Sequence, residues 1–379
     1  MWVYIFIILS STIAAFIAYN VNFVVGTKIK AKSINAFFAG IAVIIPCFFA
    51  AVRDSSIGFD ISIYGNPAFE TALHSSSLSS FMRAFGTLEP LYMCLTYICA
   101  KLGNIYIYYF TLQFMVICPI WLSLRRVNKG KYVWLGLFIY LCWMYGFSLN
   151  IMRQSIAISI TLYGYRFIQE RKPIKFFLAL LIAIGFHSTA IMACAVYAIN
   201  VLVVCEDRDT SYWRRKFIRY RSISRMLILL LVTVMFAFGA SLIGYISEAT
   251  GRFMAFSNDL VSFGLEIPNI LFMLAILLII CLGIEKNRTF ENNFFLYIIC
   301  VGAVVYQLKG MSAQMYRVSM YLTCYMIYSI PAIVANQGKN RFIVTASTLA
   351  VFVGYFWFYN IYWMWHSIYP YTSEFLGIS

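Results

Sequence analysis

Long apolar stretches alternate with short polar ones along the whole chain, and the apolar runs have the length of membrane-crossing helices rather than core strands. They cover residues 1–25, 34–52, 105–124, 132–148, 151–168, 226–245, 267–284, 294–307, 313–335 and 342–362. Two segments depart from this pattern. Residues 90–101 are apolar for only about a dozen positions, short of the roughly 20 a crossing needs, which predicts a re-entrant or interfacial segment. Residues 176–204 form one apolar run between two basic loops, with Gly185-Phe186-His187-Ser188 near its middle. That predicts a broken-helix hairpin bent at His187, possible where protein or water rather than lipid surrounds the bend. One long tilted helix is the alternative, and it would invert everything after it. Counting the hairpin twice, the pattern predicts an all-α polytopic integral membrane protein of about 12 transmembrane helices.

Composition agrees. The chain of 379 residues is 62% hydrophobic and 11% charged, with mean hydropathy +0.81. No polar block is long enough for a separate soluble domain, so residues 1–379 read as a single transmembrane domain. The first 25 residues have neither a basic start nor an A-x-A-like cleavage site and read as a transmembrane helix, not a removed signal.

Charge gives the orientation. Of 29 Lys and Arg, 22 fall in or beside six basic loops that follow Lys28, Arg125, Arg171, Arg208, Lys286 and Lys339. By the positive-inside rule these loops are cytoplasmic, including the basic loop 205–225. Its stretch from Arg208 to Arg225 holds seven cations and Trp213, as an interfacial helix on anionic lipid would. The outer loop 53–90 and the outer C-terminal tail 363–379 then lie on the opposite face. With six acids against the 22 cations the inner side carries +16; with eight acids against the other seven cations the rest carries −1. This scatter over six short loops argues against a nucleic-acid partner, despite a net charge of +15.

The seven cations outside the basic loops are Arg53, Arg83, Lys101, Arg153, Arg252, Lys309 and Arg317. Cations at the disfavoured end of membrane helices usually have a task. Arg153, in Asn150-Ile-Met-Arg153-Gln154, sits on the first turn of a predicted helix, where the dipole repels it unless it meets an anion or snorkels to the interface. Arg317 begins another outer helix end, four residues before Tyr321. The outer loop opens with Arg53-Asp54, Gly58, Asp60 and Tyr64 and closes with Arg83 and Glu89-Pro90. His187 lies at the predicted bend, level with Arg153, and a neutral imidazole suits proton abstraction from a hydroxyl. Its ordinary alternative is a hydrogen-bonded structural residue. The tail Trp363–Tyr371 reads as an aromatic belt anchor or as a sugar-stacking wall. The ten Cys form no C-x-x-C pair and lie mostly in apolar runs, and the three His show no metal-binding spacing; nucleotide-binding glycine motifs are absent. Neither metal nor cofactor is expected. Several Arg, a His and carboxylates on one outer vestibule suit a lipid-linked diphosphate sugar, because guanidinium groups grip phosphate oxygens and stabilise a pyrophosphate leaving group.

With these residues in view, the chain resembles the EpsG family of Wzy-like polysaccharide polymerases. The resemblance rests on Arg53, Gly58, Asp60 and Tyr64; on Glu89-Pro90; on Asn150, Arg153, Gln154 and Ala157; on Phe186, His187, Ser188 and Ala190; and on Arg317, Tyr321 and Pro370-Tyr371. Phe59 stands where the family commonly has a small polar residue. The resemblance implies a GT-C-like helical architecture. It implies metal-independent joining of undecaprenyl-diphosphate-linked repeat units of O-antigen, capsule or exopolysaccharide on the outer face of a bacterial inner membrane. Arg153 and Arg317 would hold the diphosphate, with Arg53 or Arg252 as helpers. His187 would be the base, with Asp60 or Glu89 as rivals. Tyr64, Arg83, Gln154 and Tyr321 complete the expected substrate contacts. Partners implied are membrane lipid and the flippase and chain-length regulator of the same pathway. Competing readings are a lipid-linked oligosaccharide flippase or other transporter, a single-sugar GT-C glycosyltransferase, for which Asp54 and Asp60 speak, and a membrane acyltransferase.

Overall fold

The computed structural model describes residues 1–21, 28–86, 88–203, 266–284, 290–307, 309, 315–338 and 340–379. Among these the protein is helical, with one isolated bridge between Ser373 and Ile378. The basic loop 205–225, the apolar run 226–245 and Arg252 lie outside the described residues. Among the described residues six helical stretches are long and apolar enough to cross a membrane: Trp2–Asn20, Lys32–Ala51, Ile105–Leu124, Ile267–Ile284, Met315–Ala335 and Arg341–Tyr362. The chain is therefore a multi-pass membrane protein. Of the twelve crossings expected, the one at 226–245 lies outside the described residues, and several other apolar runs form shorter pieces.

The chain divides into two compact units: residues 1–191 with 330–335 and 345–379, and residues 192–329 with 336–344. In the first, α1 (Trp2–Asn20) and α2 (Lys28–Ala51) pack against each other, α2 packs on α6 (Ile105–Leu124), and α6 packs on α9 (Met152–Gln169). α10 (Pro173–Phe186) lies against α9. The two ends of this bundle are tied separately. At one, Arg126 Nη1 meets Glu170 Oε1 at 2.7 Å and Asn20 Nδ2 donates to Lys131 O at 3.0 Å. These join the C-terminal ends of α1, α6 and α9, which lead into basic loops. The ends of α2 and α10 and the start of α9 gather at the other.

Segment 53–90, expected as a loop, is mostly helical. A π-helical turn (Ile61–Gly65) runs into α3 (Asn66–His74), and α4 (Leu78–Ala84) follows. Pro67 presets the first turn of α3, and Ser77 caps α4 in a reciprocal box with Ser80. α5 (Pro90–Ala100) is a single short helix, about 17 Å long at 1.5 Å per residue, against roughly 30 Å of hydrocarbon. The run at 132–148 breaks at Met144 into α7 (Val133–Trp143) and α8 (Tyr145–Asn150), and Ile151 separates α8 from α9.

Within 176–204 the helix does break at His187, whose backbone is extended (φ −159°, ψ 123°). A 3₁₀ turn (Ser188–Ala193) follows, then α11 (Cys194–Val203). In the second unit α11 and α12 (Ile267–Ile284) pack on α13 (Phe290–Gln307), which also packs on α14 (Met315–Thr323). α15 (Met326–Ala335) and α16 (Arg341–Phe356) complete the described helices.

The tail is a strap rather than a free end. Ser373 Oγ donates to Val52 O at 2.5 Å, Tyr371 Oη to Phe49 O at 2.9 Å, and the Glu374 N–H to Asp54 Oδ1 at 2.8 Å. Asn150 joins loop and tail: it accepts the Phe59 N–H (2.8 Å) and donates to His366 O (2.5 Å). The Gly58 N–H donates to Ser367 O at 3.2 Å.

Candidate active site

Three elements of the first unit converge on Glu89. This residue is the N-cap of α5, placed in extended backbone before Pro90, where the chain turns into the helix. Its side chain makes no cap hydrogen bond to its own helix and reaches out instead. Arg153 Nη1 donates to Oε2 at 2.5 Å. Oε1 lies 2.7 Å from His187 Nδ1 and accepts the Ser188 N–H at 3.2 Å. The close approach of α10 to α5 depends on Gly185, since a Cβ there would meet Leu91 Cδ1 at 2.6 Å.

The Arg153 guanidinium lies over two rings, 4.8 Å from the centroid of Tyr64 and 5.7 Å from that of Tyr92. Tyr92 is fixed in turn by Tyr108, hydroxyl to hydroxyl at 2.6 Å, with Thr96 3.2 Å from the Tyr108 hydroxyl. Asp60, at the head of the π-helical turn that carries Tyr64, lies within electrostatic reach of Tyr92. The side chains of Glu89, Arg153 and His187 keep 13%, 15% and 18% of their surface exposed, so they are largely desolvated but open to a ligand.

The electrostatics follow from this geometry. Burial alone would raise the Glu89 carboxyl; the His187 hydrogen bond, the Arg153 charge and the Ser188 amide outweigh it and hold it at about 2. An ionised carboxylate only accepts, so His187 Nδ1 must carry the proton. In neutral imidazole that leaves Nε2 as the acceptor, turned away from Glu89. A carboxylate that orients an imidazole through Nδ1 and leaves Nε2 to abstract a proton is the arrangement of a general-base dyad. Arg153, repelled by its own helix dipole, finds its anion inside the protein. Glu89, read as a rival base to His187, is hydrogen-bonded to it.

Arg53 is placed otherwise than expected. It is 6% exposed and lies under segment 53–90. It donates to the carbonyls of Ala50, Ile57 (3.2 Å) and Leu149 (3.2 Å), and its guanidinium lies 5.2 Å from the Tyr109 ring centroid. No carboxylate is needed: the ends of α2 and α8 supply partial negative charge. Its hydrogen bonds thus go to backbone carbonyls and to the Met152 sulfur, not to Asp54. Arg83 is exposed in the last turn of α4. Gln154 is buried beside Arg153 in α9. Arg317 and Tyr321 belong to α14 of the second unit; Arg317 Nε donates to the Tyr316 hydroxyl at 3.2 Å, and Tyr321 is fully buried. Sequence reasoning overlooked Tyr92 and Tyr108 as supports of Arg153; the signal present was Tyr92 two residues past the Pro that starts α5. Among the described residues no group of three His, Cys, Asp or Glu could hold a metal ion.

The sequence model of the EpsG family matches residues 36–373. No curated protein and no solved structure matches the chain.

Proposed function

The chain belongs to the EpsG family, and on that premise we propose that it is a polysaccharide polymerase that joins lipid-linked oligosaccharide repeat units. The donor is a growing glycan on undecaprenyl diphosphate, and the acceptor is a new lipid-linked unit. An acceptor hydroxyl attacks the donor's anomeric carbon. The new glycosidic C–O bond forms as the C–O bond to phosphate breaks, and the electron pair leaves on the lipid diphosphate. His187 Nε2 takes the hydroxyl proton. Glu89 holds the imidazole, and Arg153 adds positive charge beside the leaving group. The site faces the outer side of the bacterial inner membrane, and the fold is GT-C-like.

One observation carries this reading: a single carboxylate bridges an Arg and a His at 2.5 and 2.7 Å, drawn from three separate helix ends. A purely structural ion pair would not need the imidazole. The inner placement of 22 of 29 cations supports the outer location of this end of the bundle.

The test is the purified protein in nanodiscs, supplied with lipid-linked repeat units and followed by polymer length. The wild type is expected to give a ladder of products, and His187→Gln to turn over about two to four orders of magnitude more slowly, as loss of a general base does. Wild-type rate in His187→Gln excludes imidazole proton transfer. Transbilayer movement of the lipid-linked unit without elongation would make the protein a flippase instead.

A further inference from the structure

Successive residues at the start of α6 serve two places. Tyr108 faces Tyr92 in the site just described. Tyr109 donates to Asn66 Oδ1 at 2.6 Å and borders a separate cavity of about 270 Å³ between the end of α2, the start of α6 and the tail. One wall of that cavity is polar: Arg53, Asp54, Ser55, Asn66 and Glu374. The other is an aromatic corner of Tyr106 and Phe375, with ring centroids 5.1 Å apart and planes inclined at 59°.

These groups are held in place. Asn104 caps α6 by accepting the Tyr106 N–H at 2.8 Å. Asn66 Nδ2 donates to Ser55 Oγ at 3.1 Å, and Asp54 Oδ1 is fixed by the Glu374 N–H. A lipid chain gains nothing from a wall of carboxylates and amide. A pyranose has one apolar C–H face for an aromatic ring and an edge of hydroxyls for polar groups. Two carboxylates outweigh the one guanidinium in the lining, Arg53, which already donates to backbone carbonyls, and so disfavour an anionic sugar or a phosphate. The volume falls just below the range of drug-sized sites, roughly 300–1,000 Å³, and suits one ring rather than a chain.

We infer that this cavity is a saccharide subsite that holds one neutral pyranose of the glycan. Asn66 directly follows the π-helical turn that carries Tyr64, the ring under the Arg153 guanidinium, so one short stretch of backbone joins the cavity to the Glu89 cluster. The assignment rests on the polymerase reading, yet it can be tested apart from it. The photoreactive residue p-benzoylphenylalanine is placed at Phe375 in the full chain, in cells that make the repeat unit, with His187→Ala to stop turnover. Light is expected to give an adduct that stains for carbohydrate. Tyr106→Ala should lower its yield about tenfold, the scale of one lost aromatic contact, while Tyr106→Phe keeps it. An adduct with lipid alone, an anionic sugar in the adduct, or undiminished yield in Tyr106→Ala overturns the subsite. If wild-type protein fails to elongate while the Tyr106-dependent glycan adduct persists, the polymerase reading falls and the saccharide site stands.

Discussion

Glu89 answers two demands at once. Arg153 sits where its helix dipole repels a cation, and His187 sits where a broken helix leaves an imidazole without a set orientation. One carboxylate meets both. Removing it should therefore do more than remove a charge. Glu89→Gln is expected to lower turnover by at least two orders of magnitude and to reduce thermal stability, because Arg153 is left largely desolvated without its anion. Glu89→Asp, which keeps the charge but shortens the reach, should restore more stability than activity. Arg153→Lys should retain little activity, since an ammonium cannot lie flat over Tyr64 and Tyr92 while holding a carboxylate oxygen. Normal chain length in Arg153→Lys would reduce its role to a general positive field. The pH dependence has a definite sign. The Glu89 carboxyl lies below the unfolded-chain value of about 4.3, so its contribution to stability is complete above that pH and is lost as pH falls toward 2. Unfolding midpoints measured from pH 8 to 5 should thus show no loss attributable to Glu89; a difference between wild type and Glu89→Gln that disappears by pH 5 would contradict the pairing.

At the scale of elements, segment 53–90 behaves as a folded layer held down by backbone bonds. Gly58 has φ +88°, and a Cβ there would meet Leu149 O at 2.5 Å. Both facts demand glycine. Gly58→Ala is expected to cost about 1–3 kcal/mol and to open segment 53–90 to proteolysis. Truncation after Pro370 should act similarly, since Tyr371, Ser373 and Glu374 bind the end of α2 and the start of the loop. If limited proteolysis finds that segment equally protected in both variants, the strap does not hold the loop. Arg53 belongs to this scale too: it gathers the carbonyl ends of α2 and α8, which makes it a clamp on the layer that presents Tyr64.

For the whole molecule, the first unit has two chemically different ends. One joins the basic loops through Arg126–Glu170 and Asn20–Lys131; the other holds the Glu89 cluster and the tail. Cysteines placed at the exposed positions Ser56 and Ser79 in a cysteine-free variant should react with an impermeant thiol reagent in intact cells, whereas those at Asn128 and Lys172 should react only after permeabilisation. The reverse pattern would turn the site to the cytoplasm and remove the lipid-linked glycan on the outer face as its substrate.

Hydropathy and charge are additive along the chain, which is why both are legible in the sequence alone. The crossings at 105–124 and 267–284 coincide with α6 and α12, the break at His187 lies where Gly185 and an isolated His stand, and the family is recognisable from its ordered motifs. Pairing is not additive. That Arg153 needs an anion follows from its place on a helix; that the anion is Glu89, 64 positions earlier, follows from how α5, α9 and α10 pack. Arg53 and Arg153 look alike in sequence as cations outside the basic loops, yet one is enclosed by carbonyls and the other opens beside a His. A motif records which residues stand near a membrane face. The packing of three helix ends around one carboxylate sets which of them share a proton.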